Sequence, residues 1–162
     1  MKRGCIGLTL TLTLALSVSG CASQVGGVIP NQTKPQREAQ IELAAQAVKA
    51  GNFEYAERLL GPYMYRSQEG ELLFKSLGVS SDVEKKAVDT VALMLWDTGR
   101  DVSLEKFAGR YMSGYERDVM LCRLAERNAI YERAYACWND LGDVDRARRV
   151  TRTESALRIL KD

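Results

Sequence analysis

The chain has 162 residues, with 23 Lys and Arg against 21 Asp and Glu, and it contains no histidine. A net charge of only +2 gives no reason to expect nucleic acid as a partner. The absence of histidine removes the usual general base and the commonest metal ligand. We therefore expect no enzyme, no cofactor and no metal site, and a chain that acts by binding.

The first twenty residues have the three parts of a secretory signal. A basic start (Met1-Lys2-Arg3) is followed by an uncharged, mainly apolar stretch over residues 5–18, and small residues precede Cys21. The apolar stretch is too short to span a hydrocarbon core about 30 Å thick. Residues 1–20 are therefore expected to be removed. Loss of two of the 23 basic residues leaves 21 against 21 acidic residues in the mature chain.

The residues at this cleavage site, Val18-Ser19-Gly20-Cys21, resemble the lipobox of bacterial lipoproteins. The resemblance implies cleavage before Cys21 and lipidation of that cysteine, and two or more acyl chains attach a protein stably to a membrane. Ala22 stands where enterobacterial lipoproteins of the inner membrane carry Asp. The resemblance thus implies a lipid anchor in the outer membrane, on its periplasmic face. The alternative is an ordinary signal peptide that happens to be followed by cysteine.

Residues 21–36 lack helical periodicity and contain two glycines and two prolines. This composition is typical of a flexible tether, which could reach roughly 50 Å when fully extended. Residues 37–162 are long enough to form one domain with its own core.

Beyond the tether, apolar residues recur at helical spacing, and this pattern predicts an all-α domain. The predicted helices cover residues 37–50, 53–60, 68–77, 82–98, 103–112, 115–127, 130–141 and 144–160. Ser81 followed by Glu84 has the pattern of a capping box, and Ser103 is a second candidate cap.

Three of the predicted turns share a glycine. Gly51 and Gly142 are each followed by an apolar residue two positions later and by an alanine three positions further, and Gly99 marks a related turn. This resembles the turn of tetratricopeptide-type repeats, in which alanine lets two helices approach closely. The separations of 48 and 43 residues differ from the 34 of that family. The resemblance implies an array of helical hairpins, and the alternative is an irregular helical bundle.

Cys122 and Cys137 are the two cysteines left after Cys5 is removed and Cys21 is lipidated. An oxidising periplasm favours their pairing. They lie at similar distances from the turn expected near residues 129–130, so two antiparallel helices place them opposite each other. The alternatives are two reduced, buried cysteines and a redox-active pair, and the missing Cys-x-x-Cys spacing disfavours the second.

Two aromatic clusters are candidates for partner binding. Tyr63 and Tyr65 follow a proline-bent helix, and Tyr111 and Tyr115 flank a predicted helix end. Aromatic side chains in helical grooves suit the binding of a partner or peptide. The same positions also suit a hydrophobic core.

The last predicted helix is basic. Arg146, Arg149 and Arg152 belong to a local excess of positive charge, which could meet an acidic partner or lipid headgroups. A solvated helix end, where cations interact favourably with the helix dipole, is the alternative interpretation.

Taken together, these features resemble those of pilotins and assembly factors, small helical lipoproteins of secretin, pilus and related export machines. The resemblance implies an assembly lipoprotein whose partner is another envelope protein and whose contact with the membrane is its lipid anchor. A regulator or activator of a peptidoglycan enzyme, and a structural lipoprotein, are the alternatives.

Overall fold

The computed structural model describes residues 31–159. Seven helices follow one another: α1 (Lys34–Lys49), α2 (Phe53–Leu60), α3 (Ser81–Asp97), α4 (Asp101–Tyr111), α5 (Gly114–Arg127), α6 (Tyr131–Asp140) and α7 (Val144–Ile159). Between α2 and α3, a 3-10 turn (Gly61–Tyr63) leads into two short antiparallel strands, β1 (Met64–Arg66) and β2 (Leu72–Phe74). The predicted all-α class is confirmed, with this small hairpin as its exception. The predicted signal peptide, Cys21 and most of the predicted tether lie outside the described residues.

Successive helices pack together except for α2 and α3, which the β-hairpin separates in the chain, and α3 packs on α1 instead. The described residues form two apolar clusters. The N-terminal cluster is built from α1 to α4 and includes Ile41, Leu95 and Phe107, with Leu124 of α5 added to it. The C-terminal cluster belongs to α5, α6 and α7 and consists of Cys122, Ala125, Ala134, Trp138, Ala147 and Val150. The helices therefore form a chain of hairpins over two cores.

Four of the connections are three-residue turns of one kind: Ala50-Gly51-Asn52, Thr98-Gly99-Arg100, Asn128-Ala129-Ile130 and Leu141-Gly142-Asp143. In each turn the middle residue has a positive φ, between 57° and 76°. The N–H of the third residue donates to the carbonyl five residues earlier, at 2.8 to 2.9 Å, which is the Schellman ending of a helix. The residue five positions after the middle one is buried in every case: Ala56, Leu104, Ala134 and Ala147.

The third of these turns carries alanine where the others carry glycine. Ala129 has a φ of 57°, a region that costs an L-residue roughly 1–2 kcal/mol. Ala129→Gly is therefore expected to raise the free energy of unfolding by about 1 kcal/mol, after allowance for the greater freedom of glycine in the unfolded chain. Urea unfolding measures the change.

The matched control is Gly142→Ala, in the equivalent place of the next turn. A Cβ at Gly142 would meet no atom within 4 Å, so its effect comes from the φ of 76° alone. The expected change is of similar size and opposite sign. If both substitutions changed the free energy of unfolding in the same direction, the two turns would not be equivalent.

Helix α1 begins at Lys34, inside the stretch predicted to be tether, so the predicted boundary is wrong by three residues. Pro35 lies in the first turn, where a missing N–H costs no helical hydrogen bond. The side chain of Gln36 accepts the N–H of Thr33 at 2.9 Å and closes the helix start. The proline and amide residues that indicated a tether are in part the start of a helix.

The predicted helix over residues 68–77 is also wrong, because β2 and its turn occupy this stretch. Gly70 has a φ of +77° in a turn where its N–H donates to the carbonyl of Ser67 at 3.0 Å. Ser67 in turn donates its N–H to the carbonyl of Glu71 at 2.8 Å. A short apolar run such as Leu72-Leu73-Phe74 suits either a strand or a buried helix, and the turn decides between them.

Two predicted caps are corrected as well. Ser80, not Ser81, precedes the first residue of α3, and its N–H and hydroxyl both lie 3.1 Å from a carboxylate oxygen of Glu38 on α1. The N–H of Ser80, with help from its hydroxyl, holds the pKa of Glu38 below its usual value. Helix α4 begins at Asp101, two residues before the predicted cap at Ser103. The carboxylate of Glu38, on another helix, thus takes the place of the capping box that was predicted within α3.

Candidate functional site

A disulfide joins Cys122 of α5 to Cys137 of α6, with the two Cα atoms 5.4 Å apart. The Asn128-Ala129-Ile130 turn lies between the two cysteines, as the sequence predicted, and it returns α6 antiparallel to α5. Cys122 is fully buried in the C-terminal cluster, and Cys137 packs against that cluster from its edge. The bridge therefore fixes the hairpin on which the next helix, α7, is placed.

Trp138 is the centre of the C-terminal cluster and is almost fully buried. Its indole N–H donates to the carboxylate of Glu126 on α5. The guanidinium of Arg146 on α7 lies over the indole ring, 4.4 Å from the centroid, in a cation–π contact. Arg146 also lies 4.0 Å from Asp143. Trp138 thus contacts an anionic side chain on α5 through its N–H and a cationic side chain on α7 through its ring.

A groove opens beside this group, between the end of α5, the start of α6 and one side of α7. Its volume is about 300 Å³, and we name it the C-terminal groove. It is lined by Glu126, Tyr131, Arg146, Arg149, Val150 and Thr153. The partly buried ring of Tyr131 is its accessible apolar surface, since Val150 is almost fully buried, and two guanidinium groups make the groove basic.

The basic charge at this end of the protein is only partly paired. Among residues 31–159, the guanidinium groups of Arg149 and Arg152 have no ion-pair or hydrogen-bond partner. Their neighbour Arg148, by contrast, lies 3.9 Å from Asp145. Elsewhere the helices exchange ion pairs: Lys85 of α3, for example, lies 2.8 Å from Glu116 of α5. The C-terminal groove is therefore a place where positive charge faces outward without a partner.

The aromatic candidates do not form a common surface. Tyr63 is fully buried, with its hydroxyl near Gln32 and Gln40, and burial raises its pKa. It belongs to the core and offers nothing to a partner. Tyr111 is half-buried, with its ring against Phe74 and its hydroxyl accepting the Phe74 N–H at 2.8 Å. Its main role is to hold the β-hairpin on α4.

The other two tyrosines are accessible. Tyr65 is 44% exposed on β1, and Tyr115 is 66% exposed in the first turn of α5. Neither lines the C-terminal groove. Of the side chains predicted to bind a partner, Arg146 and Arg149 line this groove, and Arg152 lies one turn beyond Arg149 on the exposed side of α7.

The sequence reasoning missed Glu126, Tyr131 and Trp138 as neighbours of the basic helix. A signal was present for Trp138, because Trp138 and Arg146 lie four residues before and four residues after Gly142. Positions at equal distances from a helical hairpin turn lie opposite each other. The same counting that paired the cysteines therefore also pairs this tryptophan with this arginine.

Within residues 31–159, no group of three or more His, Cys, Asp or Glu side chains is arranged to hold a metal ion. None of the helices in that range is both long and apolar enough to cross a membrane. The chain matches no protein-family model, and no curated protein or solved structure matches it significantly.

Proposed function

We propose that this chain is a lipid-anchored periplasmic protein of the outer membrane that binds another envelope protein and helps to localise or assemble an envelope complex. The anchor is supported by the lipobox-like residues Val18-Ser19-Gly20-Cys21. The disulfide supports an oxidising compartment, where such bonds persist. Stacked helical hairpins support protein binding, since such arrays present extended surfaces to partners.

The observation that carries the proposal is the C-terminal groove. It combines the aromatic ring of Tyr131 with the guanidinium groups of Arg146 and Arg149, and Arg149 has no partner in the described part of the chain. Interface cores are enriched in aromatic residues and arginine, and this is the composition found here. A partner that covers the groove would remove apolar surface from water and supply a counter-charge for Arg149.

The proposed role is binding without catalysis. The sequence offers no histidine as a general base. The carboxylate in the groove, Glu126, already accepts the indole N–H of Trp138. The secretin, pilus and secretion systems are the envelope complexes that the sequence resemblance implies, and the proposal extends to that class as a whole.

The test combines anchoring and partner binding in cells. The full-length chain is expected to incorporate a clickable palmitate analogue, to fractionate with the outer membrane and to form a crosslinked adduct with an envelope protein. Cys21→Ala is expected to abolish the label. It should also reduce the adduct at least about tenfold, because an anchor raises the effective concentration of protein at the membrane. Label fluorescence and mass spectrometry of the adduct are the measurements.

Cys5→Ala is the matched control, because it removes a cysteine that leaves with the signal peptide, and it should change neither readout. Label that persists in Cys21→Ala would contradict lipidation at this residue. The absence of any adduct with an envelope protein would contradict the binding role. An adduct with a peptidoglycan enzyme would favour the activator role over assembly.

A further inference from the structure

We propose that the C-terminal groove binds an acidic segment of a partner protein, with carboxylates placed on Arg149 and Arg146 and an apolar side chain placed against the ring of Tyr131. The inference rests on the proposed binding function and names the surface and the chemistry of its partner. Four observations carry it: the charge of the groove, the fixed position of one arginine, the exposed face of α7 and the groove's size.

Charge complementarity is the first observation. The groove contains two guanidinium groups and one carboxylate, and that carboxylate is held by the Trp138 indole. Arg149 has no partner among the described residues. A planar guanidinium forms paired hydrogen bonds with carboxylates and with phosphates, and the carboxylate is the one of these that an unmodified protein segment carries. The natural ligand of this wall is therefore a carboxylate.

The position of Arg146 is the second observation. Its guanidinium lies 4.4 Å from the centroid of the Trp138 ring, and its side chain is only 30% exposed. A side chain held in this way loses little further freedom when a ligand binds, so more of the interaction is retained as affinity. Arg146 is thus a preorganised contact, and Arg149 beside it is an accessible one.

The exposed face of α7 argues for a protein segment and against a membrane surface. A helix that lies on a bilayer needs a continuous apolar face to insert. In α7 the apolar residues Ala147 and Val150 are buried against the protein. Among the α7 side chains that the structure describes, the exposed apolar ones are Val144 and Leu157, near opposite ends of the helix. The basic side of α7 therefore presents charge without an inserting face.

The size of the groove sets the kind of segment. About 300 Å³ lies at the lower end of the range of roughly 300–1,000 Å³ found for ligand pockets. That volume takes a few side chains, not a folded domain. A short segment that carries carboxylates for the two arginines and one bulky apolar side chain for Tyr131 fits this groove.

The experiment uses the lipidated full-length chain in a neutral detergent and a fluorescein-labelled twelve-residue peptide with Glu and Leu at helical spacing. Fluorescence anisotropy is expected to show saturable binding that weakens with salt, since exposed charge pairs are screened. Arg149→Glu is expected to weaken binding at least about tenfold, as reversal of a charge in direct contact does. Arg149→Gln is expected to weaken binding by less than Arg149→Glu does. Because glutamine adds no negative charge, this loss comes from the missing guanidinium and not from repulsion of the peptide.

Arg148→Glu is the matched control, because it reverses the same charge one residue away on a side chain already paired with Asp145. It is expected to change binding less than about twofold, by long-range attraction alone. Equal losses in Arg148→Glu and Arg149→Glu would overturn the assignment to the groove. So would equal binding of a peptide with Gln in place of Glu, or Arg149-dependent binding of phosphatidylglycerol vesicles in preference to the peptide.

The outcomes also separate this inference from the proposed function. If the crosslinked envelope adduct persists in Arg149→Glu and the peptide does not bind, the groove is not the binding surface and the binding function stands. If the peptide binds through Arg149 but cells yield no envelope adduct, the groove binds acidic segments and the assembly function fails.

Discussion

Replacing Cys122 and Cys137 together by serine is expected to lower the free energy of unfolding of the C-terminal cluster by about 3 kcal/mol. The bridge closes a loop with a sequence separation of 15 residues, and the chain-entropy model assigns about that value to such a loop. The cluster itself can compensate little, because three of its six buried residues are alanines. Helices α5 to α7 should therefore open before the N-terminal cluster does.

The two tryptophans allow the two cores to be followed separately. Trp138 is buried in the C-terminal cluster, and Trp96 packs against the N-terminal one. In a Trp96→Phe background, the fluorescence of Trp138 reports the C-terminal cluster alone during urea unfolding. The midpoint for Trp138 should fall in the double serine variant, while that of Trp96, measured with Trp138→Phe, should move much less. Reduction of the wild-type chain serves as the control and should reproduce the shift. A single common midpoint for both tryptophans would contradict two separable cores.

Trp138→Ala is expected to have the largest effect of any single substitution, a loss of about 3–5 kcal/mol. The indole is the largest fully buried side chain of the described residues, and it also holds Glu126 and Arg146. Its removal leaves a cavity in a cluster too poor in apolar residues to close over it. Thermal unfolding followed by circular dichroism measures the loss.

Trp138→Phe provides the control for this change, because it keeps much of the aromatic volume and removes the N–H that Glu126 accepts. It should cost clearly less than Trp138→Ala. It should also weaken the binding of the acidic peptide, because Glu126 is released into the groove as an unpaired negative charge. A Trp138→Ala variant with the same unfolding temperature as the wild-type chain would show that Trp138 is not the centre of this core.

The sequence predicted most helices because local rules decide their ends. Gly51, Gly99 and Gly142 end helices by adopting a backbone conformation that other residues disfavour, so their positions can be read without tertiary contacts. The pairing of Cys122 with Cys137 follows from distance to a turn. The turn at Ala129 was placed correctly but was not recognised as equivalent to the other three, because alanine rarely takes that conformation.

The features that the sequence did not predict depend on contacts between distant parts of the chain. The start of α3 uses Glu38, which lies 42 residues before Ser80. Tyr63 was a candidate for a binding surface, but its burial depends on how α1 and the 3-10 turn pack together. The C-terminal groove likewise joins residues from three helices, and only the basic side lies on one of them. Single-helix patterns therefore predicted the charge of the site but not its apolar side.

The Cys122–Cys137 bridge also determines which part of the protein can lengthen under tension. A pull between α7 and the start of α5 passes directly from residue 137 to residue 122 through the sulfur–sulfur bond. The chain between the two cysteines, with its 15-residue separation, then stays slack and cannot contribute its roughly 50 Å of extended length. A partner that pulls on α7 would therefore be unable to extend the segment between the two cysteines while the disulfide is intact. The crosslinked α5–α6 hairpin therefore limits how far the part of the protein that carries the groove can be extended under force.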